Sequence, residues 1–221
     1  MSLKLNLADF VKIICVPKEG SRFVKTVYID GEPFRDIHCK IFGKSPVFPE
    51  EMEREKFQLY FLSQEFTKAK KYTLDCLALR SYPSKQLEKL LERHLISTDT
   101  IQKILADCIR LGYLNDEAWM ESFVRGQLAR RISPQMIIFK LMQKGIPKKT
   151  AQEQVGLFSD QIQVSESITH LLKTKYKNKN LKDFKEKQKV FGALMRRGFS
   201  PEDIKQALQT EIDFLDDYDM E

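Results

Sequence analysis

Long apolar runs are missing from this sequence. No stretch approaches the ~20 consecutive apolar residues of a membrane-spanning helix, and residues 1–10 show no basic segment followed by an apolar one. The expected setting is therefore soluble and cytoplasmic, with no membrane partner. Cysteine is sparse, and Cys15, Cys39, Cys76 and Cys108 include no C-x-x-C pair. That spacing reads as reduced thiols, not as a disulfide framework. His38, His94 and His170 are equally scattered. His38–Cys39 is the one Cys/His neighbour pair, and adjacent residues on a strand point to opposite faces, so no metal site is expected. Glycine and proline number only 9 and 8, which removes collagen-like and low-complexity readings. The Gly-rich phosphate-cradling loops, the G-x-S-x-G elbow and the H-E-x-x-H zinc motif are absent too. Carboxylates are numerous but fall into no recognisable pair. The expectation is a protein that is not an enzyme and needs no cofactor.

Apolar residues make up 42% of the chain, with 15 Phe, enough to build a core for one large domain or two small ones. The net charge of +6 hides a polarised layout. Residues 125–199 carry 17 Lys/Arg against 5 Asp/Glu, residues 200–221 carry 1 against 8, and the first 124 are nearly balanced. A basic block beside an acidic tail suits a polyanion or an acidic partner, with the tail as an internal competitor. The plainer reading is a solvated helical face and a frayed terminus.

The first segment, to about Gly43, reads as β. Val11-Lys12-Ile13-Ile14-Cys15-Val16 is β-branched and apolar, and Phe23-Val24-Lys25-Thr26-Val27-Tyr28-Ile29 closes on Asp30-Gly31, a hairpin signal. A third strand is expected over 34–41, and so small a sheet needs a helix to pack on. Pro49 followed by Glu50, Glu51 and Glu53 marks a helix start, and Phe57, Phe61 and Leu62 give a stripe at helical spacing. One or two helices are expected between Pro49 and Arg80.

From about Thr73 the chain repeats itself. Leu87-Glu88-Lys89-Leu90-Leu91-Glu92-Arg93-His94-Leu95 aligns with segments beginning at Ile138 and Phe191, matching apolar residues at the first, fourth, fifth and ninth positions. The offsets are 51 and 53 residues. Ile146 is followed by Ala151 and Val155, and Phe199 by Ile204 and Leu208; the first copy has Leu95, Ile101 and Leu105, with one extra residue in its turn. Gly145 and Gly198 fit left-handed helix ends, Pro147 and Pro201 the starts of the next helices, and Ser200 a cap. His94 takes the glycine slot in the first copy, at some cost. The period leaves room for a third helix per unit, in the stretch ending at Arg80, in 116–131 and in 160–176. The fold class is thus mainly α: three tandem three-helix repeats in an elongated curved array, after a small β-hairpin or meander extension. The expected boundaries are 1–48 for the extension, 49–72 for a helical connector, 73–115, 116–159 and 160–212 for the repeats, and 213–221 for an acidic tail.

Gly112-Tyr113-Leu114-Asn115-Asp116-Glu117 leading into Ser122-Phe123-Val124-Arg125, then Leu141-Met142-Gln143-Lys144-Gly145-Ile146, then Arg196-Arg197-Gly198-Phe199-Ser200 are short motifs whose order and spacing coincide with the repeat. On these residues the sequence resembles the RecX family, modulators of the RecA recombinase, over about 73–208. The strand-rich region before it looks like the extension of some members. The resemblance implies tandem three-helix repeats. It also implies binding in the helical groove of the RecA–DNA filament, with loss of ATPase, strand-exchange and repressor-cleavage activities. His94 in place of glycine, the lysine-rich insert and the acidic end depart from the family pattern.

Tyr113, Phe123 and Phe199 flank helix ends and are expected to fill the core. Gly112 and Asn115-Asp116 read as a helix stop and a cap. The basic residues Arg125, Arg130, Arg131, Lys140, Lys144, Arg196 and Arg197 are the candidates for partner binding, since arginine suits bidentate contact with carboxylate or phosphate. Lys173, Lys175, Lys177, Lys179 and Lys182 are candidate DNA-phosphate contacts on what reads as a mobile loop or frayed helix end. No aromatic ladder interleaves this basic run, which argues against tight single-strand binding. The leading reading is a monomeric, non-enzymatic regulator that docks on a RecA filament and meets protein, DNA or both at several sites. The rival is a direct DNA-binding module without a RecA partner.

Overall fold

The structure, a computed structural model, describes residues 9–218 and divides into two compact units, Met1–Asp116 and Glu117–Glu221. In the first unit four antiparallel strands, β1 (Phe10–Pro17), β2 (Val24–Ile29), β3 (Glu32–His38) and β4 (Glu51–Glu53), lie in the order β3-β2-β1-β4. The β2–β3 turn is the Asp30-Gly31 hairpin, with φ of 50° and 84°. Both central residues of a type I′ turn need such angles. Alternation puts Val11, Ile13, Val27, Ile29 and Ile37 on the buried face. They pack with Phe57 and Phe61 of the long helix α2 (Arg54–Leu79).

Three details correct the sequence reading. The sheet does not end before Gly43: Glu51–Glu53 pairs with β1 in the register Val11↔Met52, and the helix begins at Arg54, not at Pro49. The free edge of β1 takes this segment as its partner, and the Arg54 amide donates to the Asp9 carbonyl, 3.0 Å away. The third strand stops at His38, because the short helix α1 (Cys39–Phe42) turns Ile41 and Phe42 into the core. Finally, α2 is one continuous helix of 26 residues, so the expected connector boundary at 72/73 falls inside it, at the fully buried Thr73.

Helices α3 (Ser84–Arg93) and α4 (Thr98–Arg110) complete the first unit. At its centre lies Glu65 of α2, 1% exposed. Its carboxylate accepts from the Ser97 and Thr100 hydroxyls, the latter at 2.7 Å, and lies 3.7 Å from the Arg35 guanidinium. Asn115 directly precedes α5, and Asp116, its first residue, also caps α3 by accepting from the Ser84 amide at 2.7 Å. The second unit holds most of α5 (Asp116–Ala129), then α6 (Pro134–Gln143), α7 (Lys148–Gly156), a 3-10 turn (Ser159–Gln161), α8 (Val164–Thr174), α9 (Phe184–Met195) and α10 (Pro201–Tyr218). Two cores fill it, one around Val124, Ile137 and Leu141 and one around Ile168, Leu194 and Ile204. The acidic tail continues α10 as far as Tyr218. The rest of it, like residues 1–8, lies outside the described residues.

The internal repeat is present but its register shifts by one. The buried set is Leu87, Leu91 and Ile96 in the first copy, Ile137, Leu141 and Ile146 in the second, and Val190, Leu194 and Phe199 in the third. Ile138 and Phe191, aligned with Leu87 from sequence, are only half-buried. The amides of Ile96, Ile146 and Phe199 donate to the carbonyls of Leu91, Leu141 and Leu194, closing each helix with the same six-to-one hydrogen bond. The left-handed slot is therefore Leu95 (φ 63°), Gly145 or Gly198, not His94. In this register the extra residue in the first turn disappears. The absence of glycine from the first slot drew the alignment to His94; leucine accepts the left-handed backbone at a cost of about 1–2 kcal/mol. Pro201 begins α10 as expected, but Pro147 is the residue before α7.

Candidate partner interface

Four of the five candidate arginines, Arg130, Arg131, Arg196 and Arg197, gather where two turns meet in the second unit. After Ala129 the chain leaves α5 through Arg130 and Arg131, the latter left-handed at φ 54°, and enters α6 through Ser133. The Arg197 guanidinium, at the end of α9, donates to the Arg130 and Arg131 carbonyls. In return the Ser133 amide donates to the Arg197 carbonyl at 3.1 Å, and the Ser133 hydroxyl donates to the Gly198 carbonyl at 2.7 Å. The same hydroxyl caps α6 by accepting from the Met136 amide at 3.2 Å. Arg197 is thus half-buried and engaged with backbone, which makes it a strap between turns. Arg130 and Arg196 are exposed beside it, while the side chain of Arg131 is half-buried.

The other candidates stand elsewhere. Arg125 on α5 reaches Glu121, with Nη2 2.8 Å from the carboxylate, and its guanidinium lies over the Phe158 ring at 5.1 Å. Lys140 donates to Gln127 across the α5–α6 pair at 2.8 Å. Lys144, half-buried, sits 5.6 Å from both the Trp119 and Phe123 rings, which stack on one another at 5.1 Å. Its ammonium is held against aromatic faces, an attraction of electrostatic origin. Of the three aromatics expected in the core, Phe199 is buried and Phe123 half-buried, but Tyr113 is 56% exposed. The α4–α5 turn carries that ring outward, and Leu114 fills the space beneath.

The lysine-rich insert is not a frayed end. It is a closed loop between α8 and α9, anchored by Leu181, which is 5% exposed, and by Tyr176 against the core. The Tyr176 amide donates to the Leu171 carbonyl at 3.0 Å, and the Asn180 amide to the Glu186 carboxylate at 2.7 Å. That amide, with Lys179 at 3.1 Å, holds the Glu186 carboxyl below the usual carboxylate range. Lys173, Lys175, Lys177, Lys179 and Lys182 are exposed around this frame. Sequence reasoning did not pick out the Ser133–Gly198 contact, the Glu65 network or the exposed Phe184 that opens α9. The Ser-Pro step at 133–134 was the available signal for the first; the other two carry none without the fold.

A concavity of about 540 Å³ on the outer sheet face is lined by Lys18, Thr26, Tyr28 and Asp36 among others. Its charges answer one another, since Lys18 and Thr26 both donate to Asp36 and hold that carboxyl down. Among the described residues no helix is long and apolar enough to cross a membrane.

Comparison with known proteins adds a family context. Residues 115–153 match the model described as the second three-helix domain of RecX, and residues 162–208 the third. A protein named regulatory protein RecX from Streptococcus uberis is 26% identical over 170 residues, covering 76% of this chain and 63% of that protein. Its counterpart in Bacillus subtilis is 29% identical over 149 residues, covering 67% and 56%. This chain therefore spans about three fifths of the length of the curated relatives that it matches. A crystal structure of RecX from Lactobacillus salivarius superposes with a TM-score of 0.53 at 26% identity, over 69% of this chain and 99% of that one. Another crystal structure of a regulatory protein RecX, 20% identical, shares the fold over 89% of this chain and 98% of that one with the same TM-score.

Proposed function

Since this chain belongs to the RecX family, we propose that it is a regulatory protein that binds the RecA–DNA filament and inhibits its recombinase, ATPase and coprotease activities, while the chemistry stays with the partner. The observation that carries this reading is where the charge lies. The basic block, 17 Lys/Arg against 5 Asp/Glu over 125–199, falls almost wholly on the part of the chain that carries the two matched domains. A surface of that sign meets acidic protomer surface or DNA phosphate, and several moderate contacts along an array add through avidity.

In this reading three repeats are used: the end of α2 with α3 and α4, then α5–α7, then α8–α10. Arg125, Arg130, Arg131, Lys140, Lys144 and Arg196 face the partner, and Arg197 acts through the turn it straps. The protein works as a monomer in the cytoplasm. The test is DNA-dependent ATP hydrolysis by RecA on single-stranded DNA with substoichiometric amounts of this protein. The expected result is slowed hydrolysis with no nucleotide turnover by this protein alone; unchanged rate and filament length at excess protein defeat the reading. The ordered lysine loop favours a second reading, direct DNA binding without RecA, which predicts affinity on naked DNA that falls steeply with salt.

A further inference from the structure

Two carboxylates lie within the stretch from Lys173 to Lys189, and both are engaged by hydrogen bonds within the loop and the first turn of α9. Asp183 caps α9 by accepting from the Glu186 amide at 2.9 Å, and Glu186 accepts from the Asn180 amide and the Lys179 ammonium. Eight lysines share this stretch, and most of them are exposed. The cap at Asp183 sets where α9 starts and so fixes the direction of its first side chain. That side chain is Phe184, and it is 76% exposed. Three residues earlier Leu181 reaches the core, so the loop has apolar contacts within reach that Phe184 does not use.

One helical turn on, Gln188 is exposed on the same stripe as Phe184, and the adjoining stripe carries Lys185 and Lys189, also exposed. Residues four apart on a helix lie about 6 Å from one another. The face therefore presents a ring and an amide on one row and two ammonium groups on the next. We propose that the solvent face at the start of α9 is a single-strand nucleic-acid platform, in which a base stacks on Phe184, Gln188 meets its polar edge, and Lys185 and Lys189 hold the flanking phosphates.

The charge complementarity specifies a polyanion, and the ring specifies which kind. A duplex keeps its bases stacked on one another, so an exposed aromatic gains nothing from it, whereas every unpaired base has a face to offer. An anionic membrane surface calls for a broad apolar face, whereas one turn on from Phe184 stand Lys187 and Gln188. A single ring is a platform and not a ladder, in keeping with modest affinity. This inference goes beyond the filament-regulator reading and needs no RecA.

The experiment uses the full chain, without RecA, and the fluorescence anisotropy of a labelled 20-nucleotide oligo-dT strand and of a hairpin duplex. Phe184→Ala is expected to weaken single-strand binding about tenfold, the low end of what one stacked base contributes. It should leave duplex binding and the salt slope unchanged, and Phe184→Trp should restore the affinity. Lys185→Gln with Lys189→Gln should lower the slope of log K against log salt by about 1.4, at roughly 0.7 per phosphate on a single strand. Equal binding of oligo-dT by wild type and Phe184→Ala overturns the proposal. So does an equal loss on strand and duplex, or Phe184-dependent binding to phosphatidylserine vesicles in the absence of oligo-dT binding. None of these outcomes touches RecA inhibition, which is read in the separate ATPase assay.

Discussion

The Ser133 hydroxyl donates to the Gly198 carbonyl at 2.7 Å, and a β-carbon built on Gly198 would lie only 2.5 Å from that same hydroxyl oxygen. It would also lie 2.6 Å from the Met136 β-carbon. The glycine that ends α9 is thus demanded twice, by its φ of 86° and by the approach of the α6 N-terminus.

Gly198→Ala should destabilise the protein by about 3 kcal/mol, combining left-handed strain with displacement of the α6 cap. Gly112, at φ 76° with no atom near its missing side chain, provides the control. Gly112→Ala should cost about 1 kcal/mol, the backbone share alone. Urea unfolding of the two variants separates these contributions; equal losses would show that the close approach contributes nothing.

Arg197 and its exposed neighbours should behave oppositely. Arg197→Ala leaves two backbone carbonyls without their charged donor and should lower stability by about 1–2 kcal/mol. Arg130→Glu with Arg196→Glu changes exposed charges, worth about 0–1 kcal/mol to folding. On a RecA filament that double variant should bind more than tenfold more weakly, about 1.4 kcal/mol or above. Melting and filament-binding curves on both proteins check the assignment.

Glu65→Ala should cost about 2–3 kcal/mol, because the Ser97 and Thr100 hydroxyls lose their acceptor in a buried setting. Glu65→Gln keeps one acceptor oxygen and should cost less. Hydrogen exchange of the α4 amides is the sensitive readout, with protection lost first at the helix start.

Acid should loosen the first unit before carboxylates titrate. The His38 and His94 rings meet edge-on at 4.7 Å, with Tyr72 against His94 at 5.2 Å and Phe23 against His38 at 6.2 Å. Burial pushes both imidazoles below their ordinary value of 6.5, with His94 and Lys40 adding to the effect at His38; at His94 burial outweighs the opposing hydrogen bond with the Leu90 carbonyl, and Lys40 and Arg93 add to it. Since folding lowers these values, the stabilisation is full above about 6.5 and is lost as pH falls through the folded values. The melting temperature should drop as pH is lowered below 6.5, well before Asp36 and Asp107, which are held below 3.8, contribute. His94→Gln should flatten that part of the profile; an unchanged profile in the variant would assign the loss to other groups.

Hydrophobic period and turn chemistry are local properties, so they were legible residue by residue. Asp30-Gly31 announced its hairpin, Gly145 and Gly198 their left-handed ends, Ser200-Pro201 the start of α10, and the recurrence of apolar positions after Thr73 the tandem helices. The basic block and the short motifs on which the family resemblance rests are likewise composition and order, which need no coordinates. What depended on distant partners was not legible. The pairing of Glu51–Glu53 with β1 outweighed the helix signal after Pro49 because an open strand edge leaves backbone groups unpaired. The repeat register was settled by burial, which put Leu95 rather than His94 in the left-handed slot. Arg197 and Arg196 are adjacent and alike in sequence, yet one donates to the carbonyls of a turn 66 residues away and the other is exposed. Side-chain chemistry is set by the residue, but whether a charge is free to meet a partner is set by which backbone groups the fold brings within its reach.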